Sequence, residues 1–556
     1  MNAHVVDPKT VSCPVVDVLI EEQHGWWKRD VPSGILWSKG VLYNDTWSHV
    51  AQRLADGLDA AADVVASADG HFAFVYIGTD WCLAATDRIG SIPISFAAVQ
   101  GGWVVGSEAR RVATAAGCDN INEDAVMALA MAGYTIGAAT YYKELSALDP
   151  GEWVAFLRNA PPQRQRYYVY APQPEATGDA STLLTKVLAG VFEKTVASLD
   201  GRTVMIPLSA GLDSRLVASG LREMGYAHVR CFSYGQPGNH EAVAARRISE
   251  KLDYPWTFLP HTPRQQASTF RSDECNAFVA FADTLQAIPF QQDFYAVGEL
   301  KRSGFAPPDA VFINGQSGDF ITGNHIPKAL GKLHKDEDQE VQWRRFLEVV
   351  IEKHFDLWSV LKTPDRITRI GALLRQDLIA SGVGPDSTLP AFSAFEAIEY
   401  KNRQSKYVVA GQRAYEWYGF DWRLPLWDST FVDFWSRASL SDKVGQRLFS
   451  ETLRRLDWGG VWGDAYWPRP NITPAWIVLP RLLSKICHAP LGRDSWHRFE
   501  RQFLAWRMDT VCNYAIAPYL RVATDRRGHR NAISWHVERY LGDKGLDLGG
   551  RSLGAA

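Results

Sequence analysis

The chain has 556 residues, 46% of them hydrophobic and 22% charged, with a net charge of −3. This length exceeds a single ordinary domain, so we expect two domains that each bury a core. The near-neutral charge gives no support for a nucleic-acid partner. No apolar run approaches the ~18 residues that cross a bilayer, and no secretory pattern opens the chain, so we expect a cytoplasmic protein without a membrane partner.

The cysteines exclude two further classes of protein. They number seven, are scattered along the chain and form no CxxC pair. An odd, dispersed set argues against a disulfide framework and against a zinc site.

Residues 1–160 predict a strand-rich domain. Short apolar or alternating runs broken by Gly, Asp and Asn predict strands, and two stretches of helical periodicity lie among them. The strand runs are 34–44, 70–87, 94–109 and 151–159, and the helical stretches are 47–65 and 123–133. A polar, proline-containing stretch at 161–180 then predicts an interdomain linker.

Residues 181–545 predict a second domain with a different pattern. Helical stretches at 183–199, 214–225 and 241–252 alternate with short apolar runs at 202–209 and 229–235. This alternation is typical of a parallel sheet with crossover helices, followed here by a mostly helical extension. The whole chain therefore predicts an α/β protein.

The segment 204–215 is the most informative part of the sequence. A buried strand ends in a turn of small residues that opens a helix, where unpaired N–H groups and the helix dipole favour a polyphosphate. The loop residues are Leu208, Ser209, Ala210, Gly211, Leu212, Asp213 and Ser214. Asp213 could hold Mg²⁺ against the phosphates. Arg215 opposes the dipole in the first turn, which an anion bound there would explain. The alternative is an ordinary strand–turn–helix with Asp213 as a cap.

A second acidic turn follows another predicted strand. Residues 310–313 are apolar and lead into Asn314, Gly315, Gln316 and, at the end of the turn, Asp319. Two acidic turns at strand ends, each able to reach one Mg²⁺, favour a shared metal and nucleotide site.

These motifs resemble the asparagine synthetase family. Segment 204–215 is similar to its SGGxDS pyrophosphate loop, with Ala210 as a mild departure, and 310–319 resembles its GEGGDE loop, with Asp319 at the second metal-binding position. Segment 229–235, with Phe232 and Ser233, looks like the part that lines the adenine pocket, and 421–428 matches E-x-R-x-P-F-L-D. The resemblance implies a PP-loop domain that uses ATP and Mg²⁺ to adenylate a carboxylate and release pyrophosphate.

Gln316 departs from the family pattern. Asparagine synthetases place Glu there and β-lactam synthetases Tyr, whereas Gln cannot accept a proton and can only orient a substrate. We therefore expect that free aspartate is not the substrate and that Gln316 helps to recognise the acceptor. The family also has a lysine that steadies the transition state, for which Lys443, Lys485 and Arg469 are candidates.

The N-terminal motifs resemble the family's glutaminase domain. Segments 69–75, 87–94, 106–109 and 148–151 occur in its order, which implies an N-terminal-nucleophile α/β/β/α sandwich. Glutamine hydrolysis there needs Cys as residue 2, with its α-amino group as base. Asn2 stands at that position, and Cys13 could become terminal only by cleavage after Ser12. We expect this domain to have no glutaminase activity.

The sequence thus favours an ATP-dependent amide-forming ligase. Its acceptor would be a small-molecule or peptide carboxylate, with a sugar acid or natural product preferred. Its nitrogen would come from ammonia, a partner glutaminase or an amine. The alternatives are an intramolecular lactam or macrolactam synthetase and a catalytically degenerate nucleotide-binding regulator. A tRNA-thiolating enzyme would need reactive cysteines and a basic face. A homodimer is compatible with this interpretation.

Overall fold

The protein is described by a computed structural model. It covers residues 16–31, 33–175, 178–332, 338–384, 387–467 and 471–552. The chain divides into two compact units, which are Met1–Asn122 with Ala138–Val169 and Glu123–Gly137 with Tyr170–Ala556. The predicted domain boundaries at 160 and 180 stay a prediction.

The first unit is built mainly from strands. Its strands are β1 Val16–Leu19, β2 Trp27–Val31, β3 Gly34–Leu42, β4 Gly70–Gly78, β5 Trp81–Thr86, β6 Ser95–Val99, β7 Gly102–Gly106, β8 Leu145–Ala147, β9 Glu152–Leu157 and β10 Gln163–Arg166. Its helices are α1 Trp47–Leu54, α2 Leu58–Ser67 and α3 Ala109–Ala116. All four predicted strand runs form strands, and the helical stretch 47–65 forms α1 and α2.

These strands form two sheets. One has the order β10-β9-β5-β4-β3-β2 and is antiparallel throughout, and the other has the order β1-β7-β6-β8. Helices α1 and α2 bury Val50, Leu54 and Val65 against Phe72 and Phe74 of the larger sheet. Phe156 of that sheet meets Phe96 of the smaller one at 5.4 Å between ring centroids. With α3 against β6 and β7, the layers are α/β/β/α, so the predicted sandwich is confirmed.

The second unit contains most of the helices. Its elements are α4 Glu123–Ala132, α5 Ala180–Ala197, β11 Val204–Pro207, α6 Leu212–Glu223, β12 Val229–Gly235, α7 His240–Lys251, β13 Trp256–Pro260, α8 Pro263–Thr269, α9 Asp273–Ala282, α10 Phe294–Arg302, β14 Val311–Ile313, α11 Gly318–Ile321, α12 Gln339–His354, α13 Pro364–Ala380, α14 Ala391–Ile398, α15 Arg413–Trp417, β15 Asp421–Arg423, α16 Ser429–Arg437, α17 Leu440–Lys443, α18 Arg447–Leu456, α19 Val478–His488, α20 Arg493–Phe499, α21 Ala505–Met508, α22 Tyr519–Thr524 and α23 Ala532–Asp543. Two π-helices, Glu399–Val408 and Glu500–Leu504, follow α14 and α20.

Strands β11 to β15 form a parallel sheet in the order β13-β12-β11-β14-β15. The chain winds outward from β11 through α6 and α7 and then returns to the other side of β11 at β14. The strand order reverses at this point, and in open parallel sheets the crevice at the carboxyl ends of such neighbouring strands is where ligands bind. The predicted α/β class is confirmed. In the described residues no helix is long and apolar enough to span a membrane.

Candidate active site

The turn after β11 holds itself in shape with its own hydroxyl groups. The Ser209 amide donates to Ser214 Oγ at 3.1 Å, the two Oγ atoms are 3.0 Å apart, and the Gly211 amide donates to Ser209 Oγ at 3.1 Å. Gly211 is the N-cap of α6 and offers no side chain to the helix N–H groups. The first turn of α6 therefore keeps backbone donors available for an anionic ligand.

A cavity of about 320 Å³ opens at the carboxyl ends of β11, β12 and β14. Ten residues that the sequence assigned to the site line it: Leu208, Ser209, Gly211, Asp213, Ser214, Phe232, Ser233, Asn314, Gly315 and Gln316. Ala210 and Leu212 belong to the same turn but are not among the lining residues, and neither is Asp319. The cavity lies at the reversal point of the sheet, as the strand order predicts.

The two acidic turns meet at the edge of this cavity. The Asp319 amide donates to Asp213 Oδ2 at 2.9 Å. A Cβ added to Gly315 would lie 2.5 Å from the Asp213 carbonyl carbon, and one added to Gly318 would lie 2.6 Å from Asp213 Cγ. Only glycine allows the second turn to approach this closely. The structure thus places side by side two aspartates that are 106 residues apart in the sequence.

The two carboxyl groups have opposite electrostatic character. Burial, reinforced by the nearby charge of Asp319, raises the pKa of Asp213 well above its ordinary value. Asp213 Oδ1 is buried and accepts no hydrogen bond from any described residue. Burial also acts on Asp319, but the hydrogen bond and positive charge of His325 outweigh it and lower the pKa of Asp319. A divalent cation would relieve both the repulsion and the unsatisfied oxygen, so these residues fit Mg²⁺.

Two carboxylates are few for a metal held by protein alone. Among the described residues no group of three or more His, Cys, Asp and Glu is arranged to hold a metal ion. Magnesium at nucleotide sites characteristically takes one or two carboxylates and completes its shell with phosphate oxygens and water. The donor set therefore suits a cation that binds together with a phosphate ligand.

A series of ion pairs, from Asp319 through His325 and Glu399 to Arg403, holds the Asp319 carboxylate in place. His325 Nε2 lies 2.9 Å from Asp319 Oδ2, and its Nδ1 contacts Glu399 in the π-helix, which also bonds Arg403 at 3.0 Å. Burial opposes the charged imidazole, but the two carboxylates raise the pKa of His325 to about 9. Sequence reasoning missed this relay, because Glu399 has no local motif and reaches His325 across 74 residues.

Arg215 does not take the position that the sequence predicted. Its guanidinium is fully buried, and it donates to the carbonyls of Ala210 at 2.9 Å and Tyr466 at 3.0 Å. It also lies 5.2 Å from the Trp462 ring centroid and 5.3 Å from that of Trp467. Arg215 is not among the residues that line the cavity. The prediction that it adds positive charge at the phosphates is therefore corrected: its bonds hold the turn to the segment around 461–467.

Gln316 lines the cavity and its amide orientation is set by a neighbour. Gln412 Nε2 donates to Gln316 Oε1 at 2.7 Å, and the Gln316 backbone amide donates to Asn314 Oδ1 at 3.2 Å. With its oxygen engaged in this way, the Gln316 NH₂ group is the part that Gln412 leaves to a ligand. This arrangement is compatible with an orienting role and supplies no proton acceptor.

Sequence reasoning also missed the far wall of the cavity. Asp293 accepts hydrogen bonds from Tyr234 at 2.5 Å and Tyr415 at 2.8 Å, and Gln292 Nε2 donates to the Tyr234 hydroxyl at 2.9 Å. Burial raises the pKa of Asp293. The sequence could have indicated Tyr234, because it lies two positions after Phe232 on the same face of β12. Asp293 and Gln292 follow no strand, so no sequence pattern indicated that they belong to the site.

Of the proposed catalytic cations, two are described. Lys443 is fully buried and pairs with Glu396 at 2.6 Å, and Lys485 is exposed on α19. Neither is among the residues that line the cavity, and Arg469 lies outside the described residues. The ion pair explains Lys443 as a structural cation.

Known proteins agree with this geometry at the level of family. Residues 57–168 match the model of the glutamine amidotransferase domain, and residues 188–456 match the model of asparagine synthase. These matches support an ATP-dependent amide ligase. The order of the two models places the chain in the asparagine synthetase family.

Similarity to individual proteins adds little to the family assignment. No curated protein matches the chain. Among solved structures, glutamine phosphoribosylpyrophosphate amidotransferase from B. subtilis, complexed with ADP and GMP, is 15% identical with a TM-score of 0.18, over 45% of this chain and 76% of that one. The allosteric regulatory enzyme of purine biosynthesis is 12% identical with a TM-score of 0.17, over 52% of this chain and 56% of that one. Both TM-scores are too low to bear on fold or function.

Proposed function

We propose that the protein adenylates a carboxylate with ATP, releases pyrophosphate and transfers the activated acyl group to ammonia or an amine. The observation that carries this proposal is the meeting of Asp213 and Asp319 beside a cavity bordered by an anion-binding turn. An amide does not form from a free carboxylate at neutral pH because hydroxide is a poor leaving group. A site that collects phosphate-binding N–H groups and two carboxylates supplies what adenylation requires.

In the proposed reaction each residue has a limited task. The turn from Leu208 to Ser214 binds the pyrophosphate part of ATP, and Asp213 with Asp319 would hold Mg²⁺, which neutralises phosphate charge when bound. The acceptor carboxylate attacks the α-phosphorus, the α–β bridging bond breaks and pyrophosphate leaves. The amine then attacks the acyl carbon, AMP leaves and the amine loses a proton. Phe232 and Ser233 contribute to the wall on the β12 side.

We further propose that the chain has no glutaminase activity of its own. A nucleophilic cysteine needs an accessible thiol with a lowered pKa. In the described part of the first unit, Cys82 is fully buried, and burial together with Glu144 raises the pKa of Cys118. Cys13 lies outside the described residues. The nitrogen would then come from ammonia, a partner glutaminase or an amine of the substrate.

Exchange of radiolabelled pyrophosphate into ATP tests the adenylation step. A panel of sugar acids, natural-product carboxylates and peptide carboxylates is offered one at a time, and we expect exchange with at least one. Asp213→Asn should lower that exchange by about a thousandfold, whereas Asp421→Asn, at an exposed site paired with Arg202, should retain it. ATP binding without exchange for any acceptor would favour the degenerate regulator instead.

The proposed role of Gln316 has its own test. Gln316→Glu places a carboxylate against Gln412 and should change which acceptors support exchange. An unchanged acceptor profile would contradict a role in recognition. Product analysis with the best acceptor, with and without added ammonia, separates intermolecular amidation from lactam formation within one substrate. Release of glutamate from glutamine that persists in Cys13→Ala would contradict the absence of a glutaminase.

A further inference from the structure

Helix α19 is amphipathic, but its apolar side is exposed to solvent and its polar side faces the protein. Leu479, Leu482, Leu483 and Ile486 recur at helical spacing on one side and are between 53% and 62% exposed. Trp476 and Leu491 extend this side beyond the two helix ends and are 58% and 68% exposed. We call these six side chains the apolar ridge. No residue of α19 is buried.

The polar side of α19 faces the protein. Arg481 pairs with Glu500 at 2.6 Å and lies 5.5 Å from the Trp496 ring centroid. His488 lies 2.9 Å from Ser495 Oγ and 4.7 Å from the Phe499 ring centroid. The small core beneath is formed by Ile477, Trp496 and Leu504 without any leucine or isoleucine of α19. The ridge is therefore excluded from the core by its own helix orientation.

Large contiguous apolar patches are rare on free protein surfaces and mark contacts with a protein or a membrane. The charge around the ridge decides between these. The charged residues of α19 are Arg481 and Lys485, with no acidic residue, and the exposed Arg493 and Arg498 follow in α20, where Asp494 is the one carboxylate. An anionic surface complements this set, whereas a second copy of the ridge related by a two-fold axis would bring like charges together.

The number of residues in the ridge points the same way. A stable protein interface takes roughly 20–30 residues from each partner, whereas the ridge consists of six side chains. A bilayer surface needs less, because a few inserted apolar side chains and nearby cations suffice for reversible binding.

We propose that the apolar ridge docks the protein on an anionic lipid bilayer, in contrast to the expectation from the sequence that it has no membrane partner. The ridge inserts its leucines, Ile486 and Trp476 between headgroups, and Lys485, Arg493 and Arg498 lie at the level of the lipid phosphates. The ridge lies within residues 471–509, and both ends of this segment bond to the loop after β12. Asn471 Nδ2 donates to the Gly238 carbonyl at 3.0 Å, and Gln236 Nε2 donates to the Asp509 carbonyl at 2.7 Å. Val511, directly after it, lines the cavity. The proposal is independent of the reaction catalysed there.

Co-sedimentation of the full chain with vesicles tests the proposal. We expect binding at low salt to vesicles of phosphatidylcholine mixed with phosphatidylglycerol, and much weaker binding to phosphatidylcholine alone. The triple variant Leu482→Ser, Leu483→Ser and Ile486→Ser should lose at least about a hundredfold in partitioning, because three inserted side chains are removed. Lys485→Glu should cost about tenfold, and added salt should have a similar effect.

A matched control keeps the test specific. Leu183, Val360 and Ile379 lie outside the ridge and are 45%, 53% and 57% exposed, so their triple replacement by Ser removes comparable apolar surface. This control should bind vesicles as the wild type does. The proposal is overturned if the wild type ignores anionic vesicles, or if the ridge variant binds as tightly as the control. It is also overturned if the wild type is a dimer that the ridge variant converts to a monomer without any vesicle binding.

Discussion

Two aspartates, one in each unit of the molecule, have opposite surroundings: Asp87 is fully buried, whereas Asp213 is half-buried at the cavity and only its Oδ1 atom is fully enclosed. Asp87 of the first unit accepts from the amides of Phe72, Ile89 and Ser91 at 2.8, 2.9 and 3.1 Å and from the Ser91 hydroxyl. Asp213 of the second unit accepts one amide and faces another carboxylate, and its Oδ1 receives no hydrogen bond from the part of the chain that the structure describes. A buried acid with every lone pair satisfied closes a turn, whereas one left unsatisfied is kept for a ligand.

The largest expected effect comes from replacing Asp213, the aspartate with the unsatisfied oxygen. Asp213→Asn should lower pyrophosphate exchange by about a thousandfold, because removing charge stabilisation worth about 4 kcal/mol has that effect on a rate. Its free energy of unfolding should stay equal or rise, since the variant relieves an unsatisfied buried charge. Exchange kinetics and urea unfolding measured on the same sample check both halves. If this variant exchanged pyrophosphate at the wild-type rate, Asp213 would not be part of the active site.

Asp87→Ala should show the reverse pattern. Four donors lose their acceptor, so we expect the free energy of unfolding to fall by about 3–4 kcal/mol. Below the unfolding transition, exchange per folded molecule should remain within about twofold, because Asp87 belongs to the first unit and the adenylation site to the second. Urea unfolding followed by fluorescence gives the first quantity. A stability loss below about 1 kcal/mol would show that the four hydrogen bonds contribute little.

Asp87 also predicts a pH dependence. Burial raises its pKa from 3.8 to about 6, although its hydrogen bonds oppose the shift. Because the folded pKa is the higher one, the native state holds this proton more tightly. The stabilisation is complete below pH 3.8 and is lost as the pH rises through about 6, at about 2–3 kcal/mol in total. Unfolding free energies of wild type and Asp87→Asn from pH 4 to 7 should differ in slope over this window. Parallel curves would mean that Asp87 is already ionised in the fold at low pH.

The two aspartates also show which parts of the site can be predicted from the sequence. The turn at 204–215 was predictable because strand, small-residue turn and helix are adjacent in the chain, and each pattern is local. The meeting of Asp213 with Asp319 was expected because both follow predicted strands and both resemble the family's metal-binding loops. The structure adds the reason, since β11 and β14 are neighbours in the parallel sheet and present their carboxyl ends together.

What the sequence missed depends on contacts between distant segments. Asp293 meets Tyr415 across 122 residues, so no pattern near either residue in the sequence indicates the contact. The direction of a side chain within a helical turn depends on what packs against that turn. Arg215 reaches Tyr466 across 251 residues, so nothing near it in sequence shows that it turns away from the phosphates.

Arg215 therefore gives the smallest and sharpest test, because it neighbours Asp213 but its Nη1 and Nη2 atoms donate to backbone carbonyls away from the cavity. Arg215→Lys keeps the charge but loses the guanidinium fork that spans the Ala210 and Tyr466 carbonyls between two tryptophan rings. We expect it to lower the free energy of unfolding by about 1–2 kcal/mol, while the KM for ATP in the exchange reaction stays within about twofold. A phosphate-binding arginine would give the opposite result, a large rise in KM at little cost in stability. Because lysine could still serve as a point charge for phosphate, Arg215→Met completes the argument. If that variant, at a temperature where it is folded, binds ATP like the wild type, the cation acts on the turn and not on the nucleotide.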